Sequence, residues 1–405
     1  MQINRRTLLA SALTAVSTGA RAQGSNAANT VIRIGVLNDR SGPNASLSGV
    51  GSETAARMAC EKVGYKVRGM PVEIVVADHQ NKPDIGVAIA RKWYDNDGVD
   101  VIVDISNSAV SLAVNGLVKE RSKLVLHNSA AVDLTGKSCT PHAIQWQYSS
   151  WAASSNCVTK EMIAGGMDSF FILAVDYALG VSIADPFQAA IERMGGKIVG
   201  HVKHPLGTSD FSSYLLQAQA SGAKGIMLAN GGADTINAIK QAREFGLTPK
   251  VQLLAAALTK DGIQAVGLDV LQGLQMAAWY HPYRDEAAVA WMKAFMARNN
   301  GHVPSEPQAS TYSSVNHYLK AIDAIGNKEP DAVIVQLKKM TINDEYASNG
   351  HVRDDGIMSH DMYLSRIKAP SESKGEGDYI NVLRVLSGEE ANIPLAQSGC
   401  PYVKV

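Results

Sequence analysis

Small polar residues follow several predicted β-strands, and they are the residues best placed to do chemistry. Ser106-Asn107-Ser108 follows one strand and opens a predicted helix, and Asn128-Ser129-Ala130-Ala131 follows the next strand. Hydroxyl groups, unpaired backbone N–H groups and the positive end of a helix dipole together favour a bound carboxylate. Ser106 or Ser108 suits the helix N-cap equally well, and the sequence leaves both roles open.

Two further polar segments follow later predicted strands. They are Asp176-Tyr177 and Asn230-Gly231-Gly232-Ala233-Asp234. Ligands of open parallel sheets bind beyond the carboxyl ends of the strands, which is where all these segments lie. The sequence therefore predicts a non-covalent binding site for a small acid.

Sequence motifs for catalysis and for metal binding are missing. The chain has no G-x-S-x-G, H-E-x-x-H or Walker motif. Gly49-Val50-Gly51 lacks the third glycine of a dinucleotide fingerprint, so it indicates the start of a helix. His201 and His204 are three residues apart near a strand end, where only alternate residues share a face. We therefore expect no enzyme activity, no cofactor and no metal.

Alternating strand and helix patterns position the polar segments. Helical patterns over 53–63, 85–94 and 110–121 separate short apolar runs, which indicates parallel sheets covered on both faces. A chain of 405 residues is long enough for two or three units at ~100–200 residues each. The predicted strands form two ladders: Val31–Leu37, Val72–Ala77, Val101–Ile105 and Leu124–Leu126, then Phe170–Val175, Ile198–Lys203, Gly225–Ala229 and Val251–Ala256.

The last third of the chain adds elements to these ladders. Leu274–Tyr280 has the pattern of a strand, and Glu286–Arg298 and Ala309–Ile325 have the pattern of helices. His351–Arg353 and Met362–Ile367 resemble the two arms of a hairpin around an Asp-Asp-Gly turn.

The composition excludes nucleic-acid-binding and disordered proteins. The chain has 38 Lys and Arg against 38 Asp and Glu, a formal net charge of zero. A nucleic-acid partner requires an excess of basic residues that displaces counterions, so we expect none. Hydrophobic residues make up 46% of the chain, more than a disordered protein carries.

Residues 1–22 have the pattern of a secretory signal peptide. Arg5 and Arg6 precede an apolar run, and Ala20-Arg21-Ala22 forms a cleavage site. The apolar run is too short for a bilayer, which takes ~20 residues. The two arginines suit either the general secretory or the twin-arginine route. Removal of this segment leaves 35 basic and 38 acidic residues, a net charge of −3, in a protein expected in the periplasm.

The four cysteines predict one disulfide. They allow three full pairings in an oxidising compartment. Cys60 and Cys157 lie in helical patterns, where a buried thiol packs as a small hydrophobic group. Cys139 and Cys400 lie in polar loops next to proline. We therefore predict a Cys139–Cys400 bridge that holds the C-terminal tail.

Four motifs occur in order along the chain: Ile34-Gly35-Val36-Leu37 before Ser41-Gly42-Pro43, Ala77-Asp78-His79-Gln80-Asn81-Lys82-Pro83, Asp210-Phe211-Ser212-Ser213 and Ala238-Ile239-Lys240-Gln241-Ala242. From about residue 31 to the end, this pattern resembles periplasmic solute-binding proteins of the branched-chain amino acid (leucine/isoleucine/valine) type. The resemblance implies an α/β, type I binding-protein fold with two Rossmann-like lobes, parallel-sheet cores and a hinge of three crossovers. It also implies that the ligand is held between closing lobes, without catalysis, and passed to an ABC permease at the inner membrane.

The resemblance also divides the chain. We place 31–148 and 280–345 in the first lobe, and 149–279 and 346–405, with the C-terminal tail, in the second. We expect a monomer.

The resemblance assigns roles to several of the polar residues. A serine matching Ser106 and the loop matching Ala130-Ala131 take the ligand carboxylate in that family. Amino acid binders tend to carry Glu near the position of Ala257-Leu258, where this chain has none. Burial of an ammonium group without an anion is costly, which argues against an amino acid ligand. Asp176 or Asp234 could replace that Glu, so the question stays open.

The closest resemblance is to a subgroup that binds aromatic and other organic acids, including lignin-derived benzoates and phenylpropenoids. Four motifs carry it: His79-Gln80-Asn81-Lys82-Pro83, Asp210-Phe211-Ser212-Ser213, His360-Asp361-Met362-Tyr363 and Ser371-Glu372-Ser373-Lys374. Trp279-Tyr280 offers flat rings for such a ligand, with ordinary packing as the alternative. Arg40 offers a cation for the carboxylate, with a solvated surface charge as the alternative.

These expectations combine into one predicted function. The protein is the binding component of an ABC importer for a small carboxylate, with an aromatic acid preferred. The alternatives are a binding protein for branched-chain amino acids or amides, and a sensor that presents its ligand to a receptor.

Overall fold

All eight strands of the two predicted ladders are present in the structure. The computed structural model describes residues 31–404 apart from 154–158 and 249. The expected signal peptide, residues 1–22, and Cys157 lie outside the described residues. Each predicted strand agrees with an observed strand to within two residues at either end. The alternation of apolar strands and helices therefore located these eight strands, whereas the short strands at Lys66–Val67 and Ala143–Gln145 were not predicted.

The first sheet has six strands in the spatial order β2-β3-β1-β4-β5-β6. All neighbours run parallel except the short hairpin of β2 with β3. The central strands are buried along their whole length, which explains their continuous Val, Ile and Leu. In chain order the strands are β1 (Ile32–Asn38), β2 (Lys66–Val67), β3 (Met70–Asp78), β4 (Val101–Val103), β5 (Leu124–His127) and β6 (Ala143–Gln145).

The second sheet has four parallel strands in the order β10-β9-β7-β8. Its first strand lies between the second and the third, as in the first sheet, so both sheets have the same switch point in strand order. The strands are β7 (Ser169–Val175), β8 (Lys197–His204), β9 (Gly225–Ala229) and β10 (Gln252–Ala255).

Helices connect the strands and cover the sheets. Those of the first half are α1 (Gly49–Lys62), α2 (Pro83–Asp95) and α3 (Ser108–Lys119). Those around the second sheet are α4 (Thr159–Ala164), α5 (Ala178–Arg193), α6 (Ser212–Ala220), α7 (Gly232–Glu244), α8 (Lys260–Val266) and α9 (Leu268–Leu271). Short 3₁₀ helices lie at Val132–Leu134, Pro370–Glu372 and Leu395–Gln397. Within the described part of the chain, no helix combines the length and the apolar character that crossing a bilayer requires.

Three later helices return to the first lobe. They are α10 (Glu286–Arg298), which has the predicted bounds, α11 (Glu306–Ile325) and α12 (Pro330–Lys339). Helix α11 packs along α1, and the Lys62 ammonium donates to the Tyr312 hydroxyl at 3.1 Å. A capping box of Ser305 and Gln308 begins α11, and Gly326 in the left-handed conformation ends it.

A three-stranded antiparallel sheet completes the second lobe. Its strands are β11 (Gln275–Ala278), β14 (Met362–Ile367) and β15 (Ile380–Leu386), in the order β11-β14-β15. The expected strand at 274–280 is thus present. The chain passes between the lobes after β6, after β11, before β14 and again after β15, and these four segments are the hinge passages.

The expected hairpin near residue 355 has a different second arm. β12 (His351–Val352) pairs with β13 (Met358–Ser359), not with Met362–Ile367. The turn signal was correct, but Met362–Ile367 is taken by the three-stranded sheet because two longer strands pair with it there.

The C-terminal boundary also differs from the expected one. We expected all of 346–405 in the second lobe, yet the Gln145 N–H donates to the Gly356 carbonyl and Ile357 bridges to Gln145 in the first sheet. After β15, the chain returns through α13 (Gly388–Ala391), where Asn392 donates to Ser359. Only β14 and β15 of this region join the second lobe.

A disulfide fixes the returning tail. Cys139 and Cys400 are bonded, the pair expected from the sequence, across a separation of 261 residues. Cys60 is a free, buried thiol, and burial raises its pKa to about 12.

Replacement of both bonded cysteines by alanine is expected to lower the free energy of unfolding by about 2–5 kcal/mol, because the bridge restricts a long loop in the unfolded chain. Guanidinium unfolding followed by circular dichroism measures this. Wild-type protein unfolded with reductant is the control and should lose the same amount. An unchanged unfolding midpoint in the variant would contradict this role of the bridge.

Candidate ligand-binding site

A small cavity lies between the two lobes, at the carboxyl ends of the parallel strands. It encloses about 40 Å³, room for about three water molecules at roughly 10–15 Å³ each. Both lobes and two of the hinge passages contribute to its wall. The residues that line it are Leu47, Ser106, Asn128, Ala130, Gln147, Tyr148, Leu179, Gly231, Ala257, Thr259, Trp279 and Pro307.

Five helices of eight residues or more begin at this cavity. Leu47 and Ser106 each lie two residues before the start of α1 and α3, and Gly231 is the N-cap of α7. Leu179 and Pro307 are the second residues of α5 and α11. The positive ends of five helix dipoles therefore surround one small space, an arrangement that stabilises an anion.

The wall of the cavity is uncharged and partly aromatic. None of the described residues that line it carries a charged side chain. The rings of Tyr148 and Trp279 lie with their centroids 3.6 Å apart, and both side chains are almost fully buried. The Tyr148 hydroxyl donates to the Ala256 carbonyl at 3.3 Å, so the ring is fixed against β10. The wall offers flat apolar surfaces with a few neutral polar groups.

The N-cap of α3 is neither Ser106 nor Ser108, the two residues considered for that role from the sequence. Asn107 is the N-cap of α3, and its Oδ1 accepts from the N–H groups of Ala109 and Val110, both at 3.0 Å. Ser106 precedes the cap and lines the cavity, and its hydroxyl donates to the Ser48 hydroxyl at 3.2 Å. The structure thus places Ser106, and not Asn107, at the cavity.

The next strand end contributes Asn128 and Ala130 of the expected segment. Ala130 lines the cavity. The Ala131 carbonyl accepts from the Gln145 side chain at 3.1 Å, and the Ser129 hydroxyl donates to Ser108 and accepts from the Ala131 N–H. Ser129 and Ala131 therefore stabilise the loop without lining the cavity.

Two expected charged residues lie elsewhere and have ion-pair partners. The Arg40 guanidinium binds Glu53 at 2.8 Å, on the first turns of α1. Asp176 is mostly exposed and binds Lys203 at 3.0 Å. The structure therefore does not bring either charge to the cavity, because a partner is available to each within its own lobe.

The remaining residues expected in the second lobe surround the cavity without lining it. Asn230 is buried between His204 and Thr235 and bonds to both. The Asp234 carboxylate accepts from the Gly207 N–H at 3.1 Å, and burial raises its pKa to about 6. Burial also raises the pKa of Tyr177, whose hydroxyl bonds to Asn44 across the gap between the lobes.

The hinge aromatics have separate positions. Trp279 lines the cavity, as expected. Tyr280 points the other way, where it stacks on Tyr346 and meets the edge of Trp291. Adjacent residues of an extended segment face opposite sides, so only one of the pair reaches the cavity.

Several lining residues were not in the expected set. Thr259 and Leu179 follow β10 and β7, so the rule for strand ends contained the signal for both. Gln147 follows β6, a three-residue strand too short to be recognised from sequence. Pro307 comes from a helix far along the chain, and no local pattern indicates its position.

The two lobes are in close contact around the cavity. Gly232 at the start of α7 has a φ of 58°, and a Cβ there would lie 2.8 Å from the Pro43 carbonyl of the first lobe. A residue with a side chain would therefore collide with the opposite lobe. The structure thus represents the closed arrangement of the lobes.

A buried ion pair also joins the lobes beside the cavity. The Lys260 ammonium and its backbone N–H both bind Glu306 at 2.9 Å, and both side chains are 0% exposed. Lys260 begins α8 in the second lobe, and Glu306 begins α11 in the first. Each charge loses its hydration on closure, so each depends on the other.

A model of the family described as "Periplasmic binding protein" matches residues 31–376. The chain belongs to this family. Together with the relatives below, this membership makes the protein the periplasmic solute-binding component of an ABC transporter and not an enzyme, as the absence of catalytic motifs predicted. The two lobes with parallel-sheet cores are the type I fold of such proteins.

Related proteins cover most of the chain. A crystal structure of a periplasmic binding protein from Burkholderia mallei is 40% identical, covers 93% of this chain and 100% of its own, and has a TM-score of 0.89. A branched-chain amino acid ABC transporter periplasmic ligand-binding protein from Burkholderia xenovorans is 39% identical. It covers 92% of this chain and 99% of its own, with a TM-score of 0.80. The Leu/Ile/Val-binding protein homolog 6 of Brucella melitensis is 27% identical, and the match covers 76% of this chain and 80% of that protein.

One more distant structure has the same fold and holds an aromatic acid. It is a solute-binding protein from Rhodopseudomonas palustris in complex with 3,4-dihydroxybenzoic acid, 19% identical over 89% of this chain and 98% of its own, with a TM-score of 0.80. At this identity the likeness is one of fold.

Substitution of Lys260 by Met is expected to destabilise the protein by about 3–5 kcal/mol, because it leaves the Glu306 carboxylate buried without its cation. Glu306→Gln in the same chain should recover a large part of that loss, since the glutamine oxygen still accepts from the Lys260 backbone. Urea unfolding of the single and double variants measures both effects.

Lys203→Met is the matched control for the ion-pair cycle. It breaks the exposed Lys203–Asp176 pair and should lower the free energy of unfolding by less than about 1 kcal/mol. Additive losses in the Lys260/Glu306 double variant would show that the two side chains do not depend on each other.

Proposed function

We propose that the protein captures a small carboxylic acid, with an aromatic acid such as a benzoate or phenylpropenoid preferred, between its closing lobes and delivers it to an ABC permease. The observation that carries the proposal is the meeting of five helix N-termini at an uncharged, partly aromatic cavity. The ranges 31–148, 280–361 and 387–404 would form one closing lobe, and 149–279 with 362–386 the other.

The helix N-termini support a carboxylate as the common feature of the ligands. Helix dipoles favour negative charge at their N-terminal ends, and each adds typically 0.3–1 kcal/mol at an exposed site and more where water is excluded. The Ser106 hydroxyl is at the same place and can turn from Ser48 to donate to a carboxylate oxygen. No lysine or arginine is needed among the lining residues when dipoles and hydroxyls supply the stabilisation.

The aromatic preference rests on the aromatic side chains in the wall of the cavity and on the absence of a carboxylate among its described residues. Tyr148 and Trp279 offer flat surfaces that pack against a ring. The ammonium group of an amino acid needs an anion when buried, and no described lining residue supplies one. Glu306, next to the lining residue Pro307, is already bound to Lys260.

The size of the cavity implies that the lobes separate before a ligand enters. A space of about 40 Å³ is well below the roughly 300–1,000 Å³ of sites for drug-sized ligands. Contacts such as the one between Gly232 and Pro43 keep the lobes together in this arrangement. Opening at the hinge passages admits the acid, and closing excludes water from its carboxylate.

A branched-chain amino acid is the second candidate ligand. The description of the 39% identical protein from Burkholderia xenovorans favours it. In that case, neutral acceptors such as Asn128 and Gln147 would have to bind the ammonium group without help from a lining carboxylate.

A thermal-shift screen separates the candidates. Benzoates and phenylpropenoids should raise the melting temperature more than leucine, isoleucine or valine. A ligand at 100 times its Kd adds ~2.7 kcal/mol to the free energy of unfolding. A rise with the amino acids alone would overturn the aromatic acid proposal.

Ser106→Ala should weaken binding of the stabilising acid by about 10- to 100-fold, because one hydrogen bond to the carboxylate is lost. Isothermal titration calorimetry measures the change. Ser129→Ala is the matched control. The Ser129 hydroxyl bonds to Ser108, the first residue of the same helix, and to the Ala131 N–H, but Ser129 does not line the cavity. Equal loss of affinity in both variants would place the carboxylate elsewhere.

A further inference from the structure

Two lining residues of the cavity each have a buried polar atom without a partner among the described residues. They are the Gln147 Oε1, which can only accept a hydrogen bond, and the Trp279 Nε1–H, which can only donate one. Both side chains are more than nine-tenths buried. Other unpartnered atoms of the protein, such as the Tyr318 hydroxyl, belong to residues that do not line this cavity.

Leaving such atoms unpaired is costly. A buried donor or acceptor without a partner gives up the hydrogen bond that it makes with water when it is exposed. Because Gln147 and Trp279 both line the cavity, a molecule bound there lies next to both side chains. The carboxylate proposed above accepts hydrogen bonds at neutral pH but does not donate them, so it can serve Trp279 and leaves Gln147 unpaired.

We infer that the ligand carries a hydroxyl group in addition to its carboxylate, and that this hydroxyl accepts from Trp279 Nε1–H and donates to Gln147 Oε1. Among the common polar groups of small acids, an ammonium group only donates and a carboxylate only accepts, whereas a hydroxyl does both. The inference rests on the proposed function and narrows it to hydroxylated acids. Gln147 and Trp279 then determine specificity, while Ser106 and the helix N-termini hold the carboxylate.

The inference predicts a difference between closely matched ligands. Titration calorimetry of the wild-type protein with benzoate and with 2-, 3- and 4-hydroxybenzoate compares acids that differ by one hydroxyl. At least one hydroxybenzoate should bind about tenfold more tightly than benzoate, because its hydroxyl satisfies groups that benzoate leaves unpaired. Equal affinities for all four acids would overturn the inference and leave the proposed function in place.

Variants assign the preference to the two side chains. Gln147→Met has nearly the same length but a much weaker acceptor, and Trp279→Phe keeps a ring but has no N–H. Each should reduce the ratio between hydroxybenzoate and benzoate affinity towards one. Gln188→Met makes the same chemical change on the exposed surface of α5 and should leave the ratio as in the wild type. An unchanged ratio in both cavity variants would overturn the assignment.

The outcomes distinguish this inference from the proposed function. If no carboxylic acid binds, the proposed function fails and the inference with it. If leucine, isoleucine or valine binds and the benzoates do not, the ligand donates to Gln147 through an ammonium group and the hydroxyl inference is wrong. Melting temperatures of the variants, measured without ligand, confirm that each one is folded.

Discussion

The direction of the strands is the constraint on which the site depends. In a parallel sheet all carboxyl ends lie at one edge, and each is followed by the start of a helix. Two such sheets, joined by passages at this edge, bring their helix N-termini to the same gap. The lining residues after β1, β4, β5, β7, β9 and β10 all come from these ends. An electropositive space therefore forms without any cationic side chain in its wall.

Closure of the lobes adds a second constraint, which concerns charge. Hydration is lost on both sides of the gap, so a charge at the contact must meet its partner there. Lys260 and Glu306 do so, and the backbone N–H of Lys260 adds a further bond to the same carboxylate. Fixed partners of this kind favour a single closed geometry. The described wall of the cavity is uncharged, so closure around a ligand desolvates no charged side chain there. The unpaired polar atoms in this wall are those of Gln147 and Trp279.

Local patterns in the sequence contained most of the fold and part of the site. Apolar runs and their spacing located both ladders of strands. The strand-end rule led to Ser106 and Ala130, and the search for aromatic residues that could pack against a ring led to Trp279. The same rule could not separate Ser106 from Asn107, because the choice of N-cap depends on which side chain turns back to the helix. Arg40 and Asp176, which were also expected at the site, do not line the cavity, because each has an ion-pair partner that the local sequence does not indicate. The position of Pro307 at the cavity and the contact of 351–359 with the first lobe depend on residues far apart in the chain. A local sequence pattern cannot predict such contacts.

The Cys139–Cys400 bridge closes a covalent ring that contains the entire second lobe and all the hinge passages. Val31 and Cys400 both lie with the first lobe. A pulling force applied to the two ends of this region would pass through 31–139 and the bridge, and it would not load the hinge. An attachment at either end can therefore hold the protein in place while the second lobe remains free to open and close.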